Sequence, residues 1–324
     1  MRGAARLTLM SLSYCLLLAF ILDLLLGDPP WLPHPVRAIA LVAAGGERLW
    51  RRLLPWPGLA GALTVFTVLA ATFLVTWGLL RLASLAHPAA GNLMTVYLLY
   101  SALAARDLAR HSRQVYQALA AGDLGLARRR VAMIVGRETE GLDEAGVCRA
   151  TVESVAENLV DGVAAPLFWA MLGGPVAALL YKAVNTMDSL FGYKNERYRE
   201  FGWAPARLDD LANYLPARIA ALLVVVAAGL LGYSPGAALR VWRRDRRHHA
   251  SPNSGQSEAA VAGALGIQLG GPARYFGRLV DKPCLGDPRT PISRRHILAA
   301  NRLMFASSAL LLALGLLGRR LAGF

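Results

Sequence analysis

The sequence predicts an all-α fold, a polytopic membrane helical bundle with helical extramembrane segments. Of its 324 residues, 55% are hydrophobic and only 17% are charged. The mean hydropathy of +0.40 is too high for an ordinary soluble domain of this length. Several apolar runs also approach the roughly 20 residues that an α-helix needs to cross a bilayer. We therefore expect a single integral membrane domain over residues 1–324.

Four apolar runs are predicted to cross the membrane. They cover residues 8–26, 59–84, 214–232 and 303–318. Two arginines precede the first run, as in a signal peptide, but no small-residue cleavage site follows it. We interpret that run as a retained first helix.

Two further apolar segments, residues 88–105 and 159–181, are ambiguous or re-entrant. The first is modest in length, and the second contains Pro166 and the Gly173–Gly174–Pro175 break. Such breaks permit a re-entrant or broken helix where protein or water covers the freed backbone. Arginines are plentiful on both sides of the predicted spans, so the positive-inside rule does not decide the topology.

Two extramembrane segments, residues 106–158 and 233–302, are predicted to be helical. In the first, apolar residues recur at helical spacing, and Gly122–Asp123 marks a turn between two helices. The second begins with the basic helix RVWRRDRRHH and continues through a loop rich in Ser, Pro, Asn and Gly.

The chain is basic, with 35 Lys and Arg against 21 Asp and Glu and a formal net charge of +14. This excess suits either anionic lipid headgroups beside the spans or phosphate-bearing substrates. Nucleic acid is not a predicted partner, because no recognition module of the usual kinds is present. The three cysteines are widely separated and form no CxxC pair, so neither a disulfide framework nor a zinc site is predicted.

An acidic stripe is predicted on a helix that begins near residue 143. Glu153, Glu157 and Asp161 follow one another at i, i+4 and i+8, which places their carboxylates on one helix face. Like charges at this spacing repel unless a cation lies against them, and oxygen ligands at this density favour Mg²⁺ over zinc. The alternative is pairing with arginines such as Arg137 and Arg149.

A second cluster supplies mainly cations and amides. Its members within residues 182–199 are Lys182, Asn185, Asp188, Lys194 and Arg197. Ammonium, guanidinium and amide groups together are suited to binding phosphate oxygens, which leaves Asp188 to hold a metal.

Three other segments carry candidate polar groups. Asp209 and Asp210 precede the predicted span 214–232, where one of them can instead cap the helix. Asn253 and Ser254 lie in the loop SPNSGQSEAA, whose amides can face an anion or whose serines can cap a helix. Four prolines in seven residues are expected to fix an extended backbone that holds His34 and Arg37 in place.

Five long motifs resemble the CobD/CbiB family of cobalamin biosynthesis, the adenosylcobinamide-phosphate synthases. They are GDPPWLPHPVR, GRETEGLDEA, ATVESVAENLVDGVAAPLF, YKAVNTMDSLFGYKNERYREFGWAPARLDD and SPNSGQSEAAVAGALGIQLGG. The resemblance covers about residues 20–300, and it implies an integral enzyme of the cell membrane with its active site on the cytoplasmic side.

The resemblance also implies a reaction. The enzyme would be an amide-forming ligase that condenses adenosylcobyric acid with aminopropanol or aminopropanol phosphate to give adenosylcobinamide or its phosphate. Amide formation from a free carboxylate is uphill, so ATP as cosubstrate and Mg²⁺ are expected. Contact with other enzymes of the pathway is also expected. No Walker A sequence is present, which excludes an ordinary P-loop site.

With this reaction in view, the candidate residues receive roles. Asp209 or Asp210 is expected to act as the base, with Glu157 as a further catalytic residue. The expected metal ligands are Glu153, Glu157, Asp161 and Asp188. The expected ligands of phosphate groups are Arg37, Lys182, Asn185, Lys194, Arg197, Asn253 and Ser254.

Two other classes of protein are weighed against the enzyme. One is a membrane transporter, which would use intramembrane acids and a broken helix, but the chain shows no paired inverted repeat. The other is a noncatalytic membrane scaffold or sensor for corrinoid enzymes, which does not need so many acids and amides at one-turn spacing.

Overall fold

The computed structural model describes residues 10–193, 195–275 and 277–323. Nearly all of its regular structure is helical, so the predicted all-α fold class is confirmed. The α-helices are α1 Leu12–Leu26, α2 Pro35–Leu53, α3 Pro57–Ala86, α4 Pro88–Tyr100, α5 Ala105–Ala120, α6 Leu124–Ala132, α7 Glu144–Leu159, α8 Ala165–Phe191, α9 Trp203–Ala212, α10 Tyr214–Leu230, α11 Pro235–Asp245, α12 Ser254–Leu265 and α13 Arg295–Leu321. A π-helical turn, Val160–Ala164, joins α7 to α8, and two short strands, β1 Ala273–Tyr275 and β2 Arg278–Val280, form an antiparallel hairpin.

Three helices in the described part of the chain are long and apolar enough to span a membrane. They are α3, the helical run Glu144–Phe191 that contains α7, the π-helical turn and α8, and α13. The pair α9 and α10 adds a fourth if it is one broken span. α1 and α4 have 15 and 13 residues, which is short for a bilayer crossing. The protein is therefore a membrane protein by the length and composition of its helices.

The contacts between Cα atoms divide the chain into two compact units. The first unit comprises Met1–Ala104, Ala165–Ala212 and Leu314–Phe324, and the second comprises Ala105–Ala164 and Asn213–Ala313. The single membrane domain expected from the sequence stays a prediction.

Apolar side chains of α2, α3 and α8 form a core in the first unit. Ile39, Ala60 and Met187 are buried there, together with Phe201 from the segment before α9. Gly61 permits this packing, because a Cβ at that position would overlap the Phe201 carbonyl oxygen. α8 is broken within this unit at Gly173 and Gly174, as its sequence predicts.

Small residues allow the helices of the second unit to approach closely. A Cβ on Gly263 of α12 would lie 2.6 Å from the Ala237 carbonyl oxygen of α11. α12 also packs against α7 and α10. The turn predicted at Gly122–Asp123 is confirmed, since Asp123 caps α6 by accepting from the Leu126 N–H at 2.7 Å.

Three local expectations are wrong. Pro35 begins α2, so Arg37 lies in a helix and not in extended chain, because proline suits the first helical position. Neither Asp209 nor Asp210 caps the 214–232 span, since both lie inside α9. The segment 233–302 is not wholly helical, since it contains the β1–β2 hairpin.

Candidate active site

The second unit contains a cavity of about 200 Å³ lined by charged side chains from distant parts of the sequence. α7 and α12 supply its acids, and three irregular segments supply its cations and a histidine. We call this site the acidic pocket and define it by Arg137, Glu153, Glu157, His249, Glu258 and Lys282.

Glu153 joins three segments at one wall of the acidic pocket. Its carboxylate accepts a hydrogen bond from the Arg137 guanidinium and another from the Gly270 N–H at 2.6 Å. Burial lowers the pKa of Arg137, but the Glu153 carboxylate more than offsets this, so the pKa is raised. The arginine pairing weighed as an alternative in the sequence is therefore confirmed for Arg137, and Glu153 is held in an ion pair.

Glu157 lies one turn further along α7, on the same side as Glu153. Its Oε1 accepts from the Ser254 hydroxyl at 2.9 Å, which links α7 to the first turn of α12. In the described residues, no Lys or Arg nitrogen lies within 4.0 Å of the Glu157 carboxylate. Glu157 is thus an acid of the pocket with a hydroxyl partner and no close cation.

His249 is fixed in one orientation by the backbone. Its Nδ1 accepts from the Ser251 N–H at 3.0 Å, so the proton of the neutral ring is on Nε2. Nε2 lies 4.0 Å from a carboxylate oxygen of Glu258. Burial is the main cause that lowers the pKa of His249, and the ring is therefore neutral near pH 7.

Glu258 is the most enclosed acid of the pocket, with 4% of its surface exposed. Burial raises its pKa well above the usual value, and the nearby charges of Glu153 and Glu157 raise it further. Lys282 and Arg137 oppose this shift. Burial is therefore the main cause of the raised pKa, and the charges of the neighbouring side chains modify it.

Lys282 faces the pocket from the segment after the hairpin. Its Nζ lies 4.9 Å from the centre of the Tyr275 ring. No carboxylate oxygen lies within 4.0 Å of it in the described part of the chain, so its charge is available to a ligand.

The metal prediction is not matched by a preformed cage. Across residues 10–193, 195–275 and 277–323, no three His, Cys, Asp or Glu side chains are arranged to hold a metal ion. Asp161 does not line the acidic pocket, because the π-helical turn interrupts the α-helical spacing that predicted a continuous stripe. Asp188 lies on α8 in the first unit. The four-residue ligand set stays a prediction.

The predicted phosphate ligands and bases fall mainly in the first unit. Asn185 donates to the Asp209 carboxylate at 3.3 Å, and Asp210 lies 3.9 Å from Arg207. Arg197 forms an ion pair with Glu47 at 3.0 Å. Arg37 donates to the Pro30 carbonyl at 3.4 Å, Lys182 lies on α8, and Lys194 lies outside the described residues.

Only two of the remaining candidates are in the second unit. Asn253 accepts from Arg218 at 3.4 Å, and Ser254 donates to Glu157, so both take part in contacts beside the acidic pocket. Ser251, and not Ser254 or Ser257, accepts from the amides at the start of α12.

Three pocket residues were not among the sequence candidates. His249 belongs to a basic run, Lys282 to a loop without periodicity, and Glu258 to a helix predicted only from its cap. The available signal was Glu258, which is the one charged residue in the small-residue helix SGQSEAAVAGAL.

Comparisons with known proteins give a consistent result. A family model described as CobD/Cbib protein matches residues 16–304. The chain is 51% identical to the cobalamin biosynthesis protein CobD of Geobacter metallireducens over 298 residues, 92% of this chain and 94% of that protein. It is 48% identical to the cobalamin biosynthesis protein CbiB of Salmonella choleraesuis over 314 residues, 96% of this chain and 98% of that protein. No solved structure matches.

Proposed function

The chain belongs to the CobD/CbiB family, and on that premise we propose that it is the membrane enzyme that joins adenosylcobyric acid to aminopropanol or aminopropanol phosphate. Its relatives are named as cobalamin biosynthesis proteins, which assigns the chain to that pathway. The bond formed is an amide between a propionate carboxyl of the corrinoid and the amine. The product is adenosylcobinamide or its phosphate.

The observation that carries this proposal is the electrostatic state of the acidic pocket. An amine reaches a site near pH 7 as an ammonium ion, and it must lose a proton before it can attack a carbonyl. A carboxylate whose pKa is raised by burial holds a transferred proton more readily than an ordinary carboxylate does. Glu258 has this property and faces two further carboxylates that attract a cation.

ATP, as cosubstrate, would supply the phosphoryl group that converts the corrinoid carboxylate to an acyl phosphate. The amine nitrogen then forms the C–N bond, the C–O bond to phosphate breaks, and inorganic phosphate leaves with that electron pair and takes up the second proton that the nitrogen loses. The proton of the ammonium passes to the Glu258 carboxylate. Lys282 balances charge on the departing phosphate, since its own charge has no close carboxylate in the described residues.

His249 and Arg137 position these groups. The Nε2 of His249 carries the proton and lies 4.0 Å from a Glu258 carboxylate oxygen, because Nδ1 accepts from the Ser251 N–H. Arg137 fixes Glu153, so that the wall of the pocket keeps its shape.

Mg²⁺ at phosphate-transfer sites is commonly held by one or two carboxylates together with phosphate oxygens. The pocket fits that arrangement better than a complete protein cage, because Glu157 has no close cation partner in the described chain. Glu157 is therefore the proposed protein ligand, and bound Mg²⁺ would offset the negative charge of the phosphates. Asp161 and Asp188 stay predicted ligands.

The predicted phosphate ligands remain Lys182, Asn185, Lys194, Arg197 and Arg37. For the base, Glu258 is preferred over Asp209 and Asp210, which already contact Asn185 and Arg207.

The test is reconstitution of the purified full chain in an uncharged detergent. Adenosylcobyric acid, aminopropanol or its phosphate, ATP and Mg²⁺ are supplied, and the amide product is detected by mass spectrometry. We expect product only when all components are present, and loss of product on chelation of Mg²⁺. Absence of product with a folded protein would reject the proposal.

Matched variants link the reaction to the acidic pocket. Glu157→Gln is expected to lower turnover by about 10²-fold or more, as for loss of a catalytic carboxylate. Glu144→Gln, an exposed acid on the same helix, is the control and should retain turnover. Equal turnover in both variants would show that Glu157 has only a structural role.

The transporter alternative is favoured by one observation, the break at Gly173–Gly174 inside a candidate span. Broken helices line substrate paths in many transporters. Uptake of corrinoid into liposomes that contain the protein, without condensation, would support transport instead. Binding of soluble corrinoid enzymes without either activity would support the scaffold.

A further inference from the structure

A cluster of three arginines lies near the start of α12, where Arg218 contacts Asn253 and the Arg246 backbone contacts Gly255. Arg218 is near the start of α10, and Arg246 and Arg247 directly follow α11. The positive charges of Arg246 and Arg247 both act on Arg218. No carboxylate oxygen lies within 4.0 Å of any of the three in the described chain. Like charges that are assembled without a counter-ion cost free energy unless an anion compensates them.

Aromatic rings and hydrogen bonds hold two of these guanidinium groups in place. Arg218 lies 3.5 Å from the centre of the Tyr214 ring and donates to the Asn253 side chain at 3.4 Å. Arg246 lies 4.6 Å from the centre of the Trp242 ring, and Trp242 is itself fixed by a 2.9 Å hydrogen bond. Such stacking leaves the N–H edge of a guanidinium available to a ligand.

One donor of the cluster is buried and unused. The Nε of Arg246 is shielded from solvent and has no hydrogen-bond partner among the described residues. A buried charged donor without a partner carries a large desolvation cost. An acceptor oxygen from a ligand would remove that cost.

The first turn of α12 is pressed against the same loop. A Cβ on Gly255 would lie 2.8 Å from the Arg246 carbonyl oxygen and 2.9 Å from the His249 Cβ, so only glycine allows this approach. The N-terminus of a helix carries a partial positive charge and favours anions. The helix end therefore adds to the field of the three arginines.

We propose that Arg218, Arg246 and Arg247, together with the N-terminus of α12, bind a phosphate group. Three guanidinium groups from two chain segments match a multiply charged oxyanion better than a single carboxylate. The phosphate belongs either to a soluble phosphate ester or to an anionic phospholipid headgroup, since α10 begins a stretch that can form part of a membrane span. This inference goes beyond the proposed function and does not depend on condensation.

Calorimetric titration of the full chain in uncharged detergent tests the site with inorganic phosphate as the probe. The variant Arg246→Gln/Arg247→Gln is compared with Arg240→Gln/Arg243→Gln, which removes the same charge from exposed positions on α11. We expect at least a tenfold loss of phosphate affinity in the first variant and less than a twofold loss in the second. Arg247→Gln alone, at an exposed position, serves if the double variant does not fold, with an expected loss of several-fold.

A second arm identifies the source of the phosphate. Native mass spectrometry counts lipids on protein taken from nanodiscs of phosphatidylglycerol or of phosphatidylcholine. Retention of phosphatidylglycerol that is lost only in the Arg246/Arg247 variant supports a lipid headgroup, whereas phosphate affinity without lipid retention supports a soluble ester. The proposal is overturned if wild type, the Arg246/Arg247 variant and the Arg240/Arg243 control all bind inorganic phosphate and phosphatidylglycerol equally. It is also overturned if the two double variants lose affinity to the same extent.

Discussion

The buried glutamates Glu47 of the first unit and Glu258 of the second have opposite electrostatic surroundings. Glu47 on α2 is 6% exposed and accepts from Arg51 and Arg197, both at 3.0 Å. Glu258 on α12 is 4% exposed, and no Lys or Arg nitrogen lies within 4.0 Å of it among the described residues; the Nε2 of His249 lies 4.0 Å away. Burial alone therefore does not mark a functional acid, since the compensation of its charge differs.

The cavities of the two units differ in the same way. The first unit has cavities of about 330 and 490 Å³ whose linings are almost wholly apolar. The cavity of the second unit is smaller, about 200 Å³, and its lining is rich in charge. In the first unit, ionic groups such as Glu47 hold segments together, whereas in the second unit they face a space that a ligand can enter.

The largest expected effect is the loss of turnover in Glu258→Gln. Removal of the proposed base should lower condensation by about 10²–10⁴-fold, because an amide cannot accept the ammonium proton. Turnover is measured in the reconstituted assay, with Glu47→Gln as the matched buried acid. If Glu258→Gln retains full turnover, the contrast between the two glutamates has no catalytic meaning.

The next largest effect is on stability, and it shows whether Glu153 has a structural role. Glu153→Ala leaves the buried Arg137 without its partner and should destabilise the protein by about 3–5 kcal/mol. Arg137→Met/Glu153→Leu should recover much of that loss, because no unpaired charge remains. Thermal unfolding in detergent measures both variants. If the loss of stability in the double variant equals the sum of the losses in Arg137→Met and Glu153→Leu, the two side chains do not interact.

A smaller effect is expected for Glu47→Gln in the first unit. The variant keeps the shape of the side chain but weakens its bonds to Arg51 and Arg197, which are partly exposed to solvent. A loss of about 1–3 kcal/mol is expected, with turnover of the folded protein within a few-fold of wild type. A loss of turnover larger than the loss of folded protein would give Arg197 the phosphate-binding role predicted from the sequence.

Local signals in the sequence predicted much of the fold. The turn at Gly122–Asp123, the helix start near Asp143 and the break at Gly173–Gly174 depend only on neighbouring residues, and all three are present. α2 was not predicted, because the prolines before it were interpreted as extending the chain through Arg37. Proline at the first helical position instead favours the start of a helix.

The acidic pocket was only partly accessible from the sequence. Glu153 and Glu157 are one helical turn apart, so periodicity places them on one face. His249, Glu258 and Lys282 come from three other segments, and only the packing of α12 on α7 brings the acids together. No local pattern reports such a contact. The π-helical turn that contains Asp161 likewise has no signal in the local sequence pattern.

The smallest effect concerns how stability depends on pH. The pKa of Glu258 is raised in the folded state, mainly by burial, so folding favours its protonated form. Its contribution to stability is fully present below the ordinary glutamate pKa and is lost as pH rises through the raised pKa, with a slope of up to about 1.4 kcal/mol per pH unit. Glu258→Gln should remove this slope. Melting temperatures of both proteins between pH 5 and about 9 provide the measurement.

In that experiment, the pH dependence of stability caused by His249 must be distinguished from that caused by Glu258. Its pKa is lowered, chiefly by burial, so its contribution is present above the ordinary histidine pKa and is lost as pH falls through the lowered value. The two groups therefore change stability in opposite directions, and His249→Asn isolates the glutamate. The other charged groups that face Glu258 are Arg137, Glu153, Glu157 and Lys282. A slope that persists in Glu258→Gln would assign the titration to one of these groups, and the two buried glutamates would then no longer differ in the way proposed.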